Sequence, residues 1–198
     1  MAHDTIRSFL AIELSESLKN ELCFFVQSIQ NQFSGFRFSN PKTWHLTLHF
    51  LGDVTLEKIE ELKARLSKVL PDVKPFSISL EGLGVFPKGK TPRILWIGVN
   101  GDADALLGLK KRLDEVLQKM HFEIEKRTYH PHITIARAKE KVSHPFPKLE
   151  LTFKAQTIDL IRSLTFFRSD LSKEGVEHTP LFTIPFGSSQ EPIFQVLS

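Results

Sequence analysis

Trp44-His45-Leu46-Thr47-Leu48-His49-Phe50-Leu51-Gly52 and His130-Pro131-His132-Ile133-Thr134-Ile135-Ala136-Arg137 carry one pattern written twice. Each holds a histidine, an apolar residue, a threonine and a second apolar residue. In a β-strand, positions i and i+2 share a face and i+1 turns to the other. His45 and Thr47 therefore point one way, with Leu46 and Leu48 toward a core. His132 and Thr134 repeat this, with Ile133 and Ile135 behind them. The pattern predicts two strands that face each other across a cleft, each presenting one imidazole and one hydroxyl. Two histidines supply a base and an acid, and two threonines supply donors to anionic oxygens. That set suits cleavage of a cyclic phosphodiester without a metal.

The bare tripeptide is a weak signal in a chain with 8 histidines, and His3-Asp4-Thr5 matches it as well. That third copy has a charged middle residue and sits at a terminus expected to fray. No role is expected of it.

The 198 residues suit one domain, or two small lobes that fold together. A net charge of +3 is compatible with a polyanionic ligand, but weaker than the concentrated charge of dedicated nucleic-acid binders. The single Cys23 excludes a scaffold stapled by internal disulfides and reads as a buried, inert thiol. No apolar run approaches membrane-spanning length. The start lacks the basic and then apolar pattern of a signal peptide. A cytoplasmic protein without a membrane partner is expected.

Residues 6–14 read as a first, largely buried strand. Ser15 is a good helix cap, followed by a stripe of Leu18, Leu22, Phe25 and Ile29 that ends before Gly35. Residues 35–38 suggest a short strand and Asn40-Pro41 a turn. The first motif strand is expected to close at Gly52. Asp53 or Thr55 then caps a helix carrying Leu56, Ile59, Leu62, Leu66 and Val69, which Pro71 ends. Residues 76–83 alternate as a strand, and 84–93 read as a loop with a basic group of Lys88, Lys90 and Arg93. Residues 94–99 form a strand. Asp102 or Asp104 caps a third helix through Leu106, Leu109, Leu113, Val116 and Leu117. A strand at 122–126 precedes the second motif. After it come a polar loop at 139–147, an edge strand at 149–153, an apolar strand region at 158–167, a hairpin turn at 170–175 and a returning strand at 176–186. Residues 187–198 read as a loose tail. Strand, helix and strands recur before and after the middle of the chain. This predicts an α+β fold: a bilobal, duplicated unit spanning 1–198, with two mostly antiparallel sheets, helices on the outer faces and a central cleft.

These residues together resemble the 2H phosphoesterase superfamily, and within it the bacterial RNA 2′,3′-cyclic phosphodiesterases, also called 2′-5′ RNA ligases. The resemblance runs from Arg7-Ser8-Phe9-Leu10-Ala11-Ile12 through both motifs and Ile94-Leu95-Trp96-Ile97-Gly98. It continues to Phe167-Arg168-Ser169, Gly175 and Thr179-Pro180-Leu181. It implies one active site between two lobes and opening of a 2′,3′-cyclic phosphate with release of the 3′-oxygen, leaving a 2′-phosphate. It also implies no required metal or other cofactor, and in some members joining of 2′-5′ linked RNA. Two departures bear on a base-stacking platform: His178 stands where several relatives carry Tyr, and Leu10 where several carry Phe.

The resemblance implies His45 as proton donor and His132 as proton acceptor; the symmetry of the motifs leaves that order open. It implies Thr47, Thr134 and Arg137 as phosphate-binding, a guanidinium being able to grip phosphate with two parallel hydrogen bonds. Further candidates for substrate contact are Phe9, Trp44, His49 and His130. Alternation puts His49 on the face of His45, which predicts a third imidazole at the cleft. For Phe9 and Trp44 a place in the core is the favoured alternative, and for His49 and His130 a histidine satisfied within the fold. A zinc site built from His45, His49, His130 and His132 is the minor reading, since no Cys or carboxylate lies in either motif. The expected partner is an RNA with a 2′,3′-cyclic phosphate end, or a nucleotide, bound by a monomer. The alternatives are a phosphodiesterase of a small cyclic nucleotide or 2′-5′ oligonucleotide, and a non-catalytic RNA-end binder.

Overall fold

Residues 8–12 of the first strand are buried at every position, from Ser8 at 2% exposure to Leu10 and Ala11 at 0%. A strand covered on both faces belongs inside a sheet. In the computed structural model, which describes residues 5–88, 91–139, 152–172 and 175–187, that is where it lies. The chain runs β1 (Thr5–Glu13), α1 (Glu16–Ile29), β2 (Phe36–Phe38), β3 (His45–Thr55), α2 (Leu56–Val69) and β4 (Phe76–Phe86). It continues through β5 (Ile94–Gly101), α3 (Ala103–Lys119), β6 (His132–Ala138), β7 (Asp159–Ile161), β8 (Ser163–Ser172) and β9 (Gly175–Pro185). One sheet has the order β3-β1-β8-β9 and the other β2-β6-β5-β4-β7. All pairings are antiparallel, and the fold is α+β. Each sheet draws on both halves of the chain.

The helices form for local reasons. The Ser15 side chain accepts from Leu18 N–H at 3.1 Å and Thr55 from Lys58 N–H at 3.4 Å, satisfying otherwise orphaned donors. Of the two acids offered for α3, Asp102 holds the cap position, but its carboxylate accepts from Ser77 N–H instead. In α1 the stripe is completed by Val26, and Phe25 is only half-buried. In α2, Leu56 is 52% exposed and lies off the buried stripe. The apolar faces of all three helices join one face of each sheet in a continuous core that includes Leu46, Leu48, Ile133 and Ile135. A separate cluster of Phe9, Ala11 and Phe167 lies on the other face of β1 and β8.

Four expectations change. Gly52 does not close β3; it adopts φ +70° and the strand continues to Thr55. Residues 84–86 belong to β4 rather than to a loop. Gly84 marks a close approach, because a Cβ there would lie 2.1 Å from Trp96 Cζ2. Residues 122–126 are not a strand. His121 turns left-handed at φ 58°, and the Phe122 N–H bonds back to Leu117 O to finish α3. The region 158–167 is two strands in different sheets, with Arg162 at the crossing and the buried Asp159 carboxylate accepting from Ser15 N–H and hydroxyl. The expected edge strand at 149–153 has no strand at its described end. Its start, most of the loop at 139–147, Lys90, His3 and the tail from 188 lie outside the described residues. Among the described residues no helix is long and apolar enough to cross a membrane.

Candidate active site

The two motif strands meet: β3 at the edge of one sheet packs beside β6 of the other. His45 and Thr47 are half-buried while Leu46 and Leu48 are in the core, and His132 and Thr134 repeat this against Ile133 and Ile135. Strict alternation then fails in both strands at the same place. Pairing with β1 skips Leu48, and pairing with β5 skips Ile135. Each is the third residue after the histidine. An unpaired extra residue is a β-bulge, and it reverses which face the following residues occupy. The next residues, His49 and Ala136, are buried at 5% and 0% exposure, and the ones after, Phe50 and Arg137, turn outward.

This corrects the expectation for His49. It does not border the cleft beside His45. It is turned inward, where its Nε2 lies 2.8 Å from Lys110 Nζ and 2.7 Å from Asp114 Oδ1 of α3. Burial and the Lys110 ammonium push it down to about 4, against the opposing pull of Asp114. The same device brings Arg137 to the face of His132 and Thr134, which its odd spacing alone would deny it.

Both motif histidines are held alike. His45 Nδ1 lies 2.7 Å from Thr43 O and His132 Nδ1 2.7 Å from His130 O. A carbonyl only accepts, so each Nδ1 carries the hydrogen and each Nε2 is left to exchange a proton. His130 itself is exposed, and its firm contribution is this backbone oxygen. The backbone of each threonine is also anchored: Thr47 O accepts from the Tyr129 hydroxyl at 2.9 Å, and Ile135 O, next to Thr134, accepts from Ser39 Oγ at 3.0 Å. Among the described residues neither threonine hydroxyl has a hydrogen-bond partner.

Aromatic rings fix the imidazoles from behind. His45 stacks on Phe9 at 4.7 Å and 27°, Phe9 stacks on Phe167 at 5.1 Å, and His178 meets His45 edge-on at 5.1 Å. His132 meets Phe86 edge-on at 5.1 Å and lies 6.1 Å from Trp96. Phe9 is 1% exposed and Trp44 2%, the latter giving its indole N–H to Ser39 Oγ at 3.1 Å. Neither is placed to touch a substrate: Phe9 is the floor under His45, and Trp44 is core. The residues that sequence reasoning missed are Phe86, Trp96 and Phe167; His178, noted there only as a departure at a base-stacking position, lies against His45. Alternation along Ile94-Leu95-Trp96-Ile97-Gly98 was the available signal for Trp96, since Trp96 pairs with Thr134 and Gly98 with His132.

The electrostatics are cationic. Burial pushes His45 down to about 4, helped by His178, Arg137 and His132 and resisted by the bond to Thr43. His132 is lowered by burial and then by Arg137 and His130, and His178 by burial and Arg137. Arg137 thus acts on three imidazoles. Among the described residues no group of three or more His, Cys, Asp or Glu is arranged to hold a metal ion, and His49 has left the four-histidine set. The site as built favours an anion and can move one proton at each of two nitrogens.

A family model described as LigT-like phosphoesterase matches residues 12–96 and 97–176, each stretch with one motif copy. The chain is 30% identical over 181 residues to an RNA 2′,3′-cyclic phosphodiesterase of Methanothermobacter thermautotrophicus, covering 89% of this chain and 96% of that one. An Aquifex aeolicus protein of the same name is 30% identical over 185 residues, covering 90% and 94%. Among solved structures, a Thermus thermophilus protein superposes with a TM-score of 0.79 at 25% identity over 91% of this chain and 97% of that one. Ligand-free LigT of E. coli gives 0.73 at 23% identity over 93% and 99%.

Proposed function

The chain belongs to the LigT-like phosphoesterases of the 2H superfamily, and on that premise we propose that it is an RNA 2′,3′-cyclic phosphodiesterase acting through His45 and His132. The observation that carries this reading is the matched pair of imidazoles, each with Nδ1–H tied to a carbonyl and Nε2 left for proton exchange.

Neutral His132 takes a proton from water as its oxygen attacks phosphorus. The bond from phosphorus to the 3′-oxygen breaks, and that oxygen takes a proton from His45. The product is a 2′-phosphate with a free 3′-hydroxyl. Thr47 and Thr134 donate to the non-bridging oxygens, where charge rises in the transition state, and Arg137 holds the anion. Hydrolysis needs His45 charged, yet in the empty site burial and its cationic neighbours hold it to about 4. The phosphodiester supplies the missing negative charge, which raises the pKa of a nearby base. Substrate binding thereby loads the acid. With an RNA 5′-hydroxyl in place of water, the same displacement makes a 2′-5′ linkage. The matched bulges support reading residues 1–198 as one bilobal domain with a single site between its lobes.

The test is an assay with chelator present on a short RNA ending in a 2′,3′-cyclic phosphate, with the product identified. Wild type is expected to yield the 2′-phosphate, and His132→Ala or His45→Ala to lose roughly 10²–10⁴-fold in rate. A 3′-phosphate product, or full activity in either variant, would overturn the mechanism. Tight RNA binding without turnover would mark a binding module instead.

A further inference from the structure

Arg37 stands on β2, the edge strand of the five-stranded sheet, directly opposite Arg137 of β6. Its neighbours Phe36 and Phe38 pair with Ala138 and Ala136 and pack on the core side. Alternation then puts Arg37 on the face of Arg137, which is the face of the candidate site. Like charges directly opposite each other in an antiparallel pair are destabilising. Here both side chains are exposed, and among the described residues neither forms an ion pair with Asp or Glu. Two arginines are thus paired across neighbouring strands, beside a centre that already holds several imidazole groups. An anion spanning them relieves that repulsion.

On the reading above Arg137 holds the reacting phosphate, and its charge already acts on His45, His132 and His178. Arg37 lies one strand further out and faces none of these groups in the same way. A cyclic mononucleotide carries one phosphate and leaves Arg37 idle. An RNA end carries a second phosphate, the diester joining its last two nucleotides. A guanidinium matches such a group with parallel hydrogen bonds that an ammonium does not reproduce.

We propose that Arg37 binds the phosphodiester immediately upstream of the reacting one, so that the site selects RNA ends over cyclic mononucleotides. The inference rests on the phosphodiesterase reading above and sharpens its substrate. It predicts a steeper salt dependence for the longer substrate, by about 0.7 in the log–log slope for one added phosphate contact.

The experiment compares kcat/KM on 2′,3′-cyclic AMP with kcat/KM on a tetranucleotide ending in a 2′,3′-cyclic phosphate, for wild type, Arg37→Ala and Arg37→Lys. The ratio of tetranucleotide to mononucleotide should fall roughly tenfold in Arg37→Ala, mainly through KM, with partial recovery in Arg37→Lys. The extra salt slope of the tetranucleotide in the wild type should vanish in Arg37→Ala. An unchanged ratio, or equal salt slopes for both substrates in the wild type, would overturn the role of Arg37 and leave the phosphodiesterase reading intact. Failure of the wild type on both substrates would sink both.

Discussion

The two half-sites of this protein are built on one plan and filled differently. On the first, the motif strand β3 is followed across the sheet by β1 and then β8; on the second, β6 is followed by β5 and then β4. The bulges align, and the pairing registers then match residue to residue. Ala11 faces Thr47 as Trp96 faces Thr134, and Phe9 faces Phe50 as Ile94 faces Arg137. One strand further, Phe167 corresponds to Phe86 and Thr165 to Gly84. The shared positions carry the imidazole, the hydroxyl and a phenyl ring against each imidazole. The differing positions set the character of each side. The first half stacks Phe9 under His45 and ends its strand face on Phe50, 71% exposed. The second half ends on a guanidinium and seats an indole over a glycine. Symmetry supplies the proposed proton-transfer pair, and its departures supply the charge and the shape.

The largest effect on this comparison should come from Arg137, the charge that one half has and the other lacks. Arg137→Ala should lower kcat/KM by roughly ten- to a hundredfold, as expected for losing charge-assisted hydrogen bonds to a phosphate. It should also move the pH profile. In the free enzyme the cation depresses both His45 and His132, so the wild-type optimum of kcat/KM should lie below pH 6.5. Removing the cation raises both values, and both limbs should shift to higher pH. Limbs that stay in place would show that Arg137 does not act on the imidazoles.

Gly84 tests the second asymmetry. Gly84→Ala puts a methyl group where the Trp96 ring lies, while its counterpart Thr165 carries a side chain without conflict and bonds Thr183 at 2.9 Å. Overpacking of this kind costs about 1–3 kcal/mol, to be read as a loss of stability in denaturant. A variant as stable as wild type would show that the indole can move aside.

The smallest effect on activity should come from His49→Ala. It removes a buried partner of Lys110, so stability should fall by about 1–3 kcal/mol. Because His49 is turned away from the cleft, kcat/KM on the cyclic phosphate should stay within a fewfold of wild type. A loss as large as that of His45→Ala would restore His49 to the site.

Much of this was legible in the chain. Period-two alternation placed His45 with Thr47 and His132 with Thr134, and helical stripes placed the three helices, because both patterns are local consequences of backbone geometry. Segments with one face to bury also showed their burial, as Leu46 and Ile133 did. What alternation could not reveal is a single extra residue. Leu48 and Ile135 look like ordinary strand positions, and only their pairing with β1 and β5 decides that each is skipped. That one decision sends His49 to Lys110 and Asp114 and brings Arg137 to the face of His132 and Thr134. Gly84 misled for a related reason, since a glycine required by a neighbouring ring reads the same as a glycine required by a turn. Residue types, spacing and the chemistry they suit were thus set by the sequence alone. Which face each later residue occupies, and how far each imidazole's proton affinity falls, was decided by strands and charges brought together from distant parts of the chain.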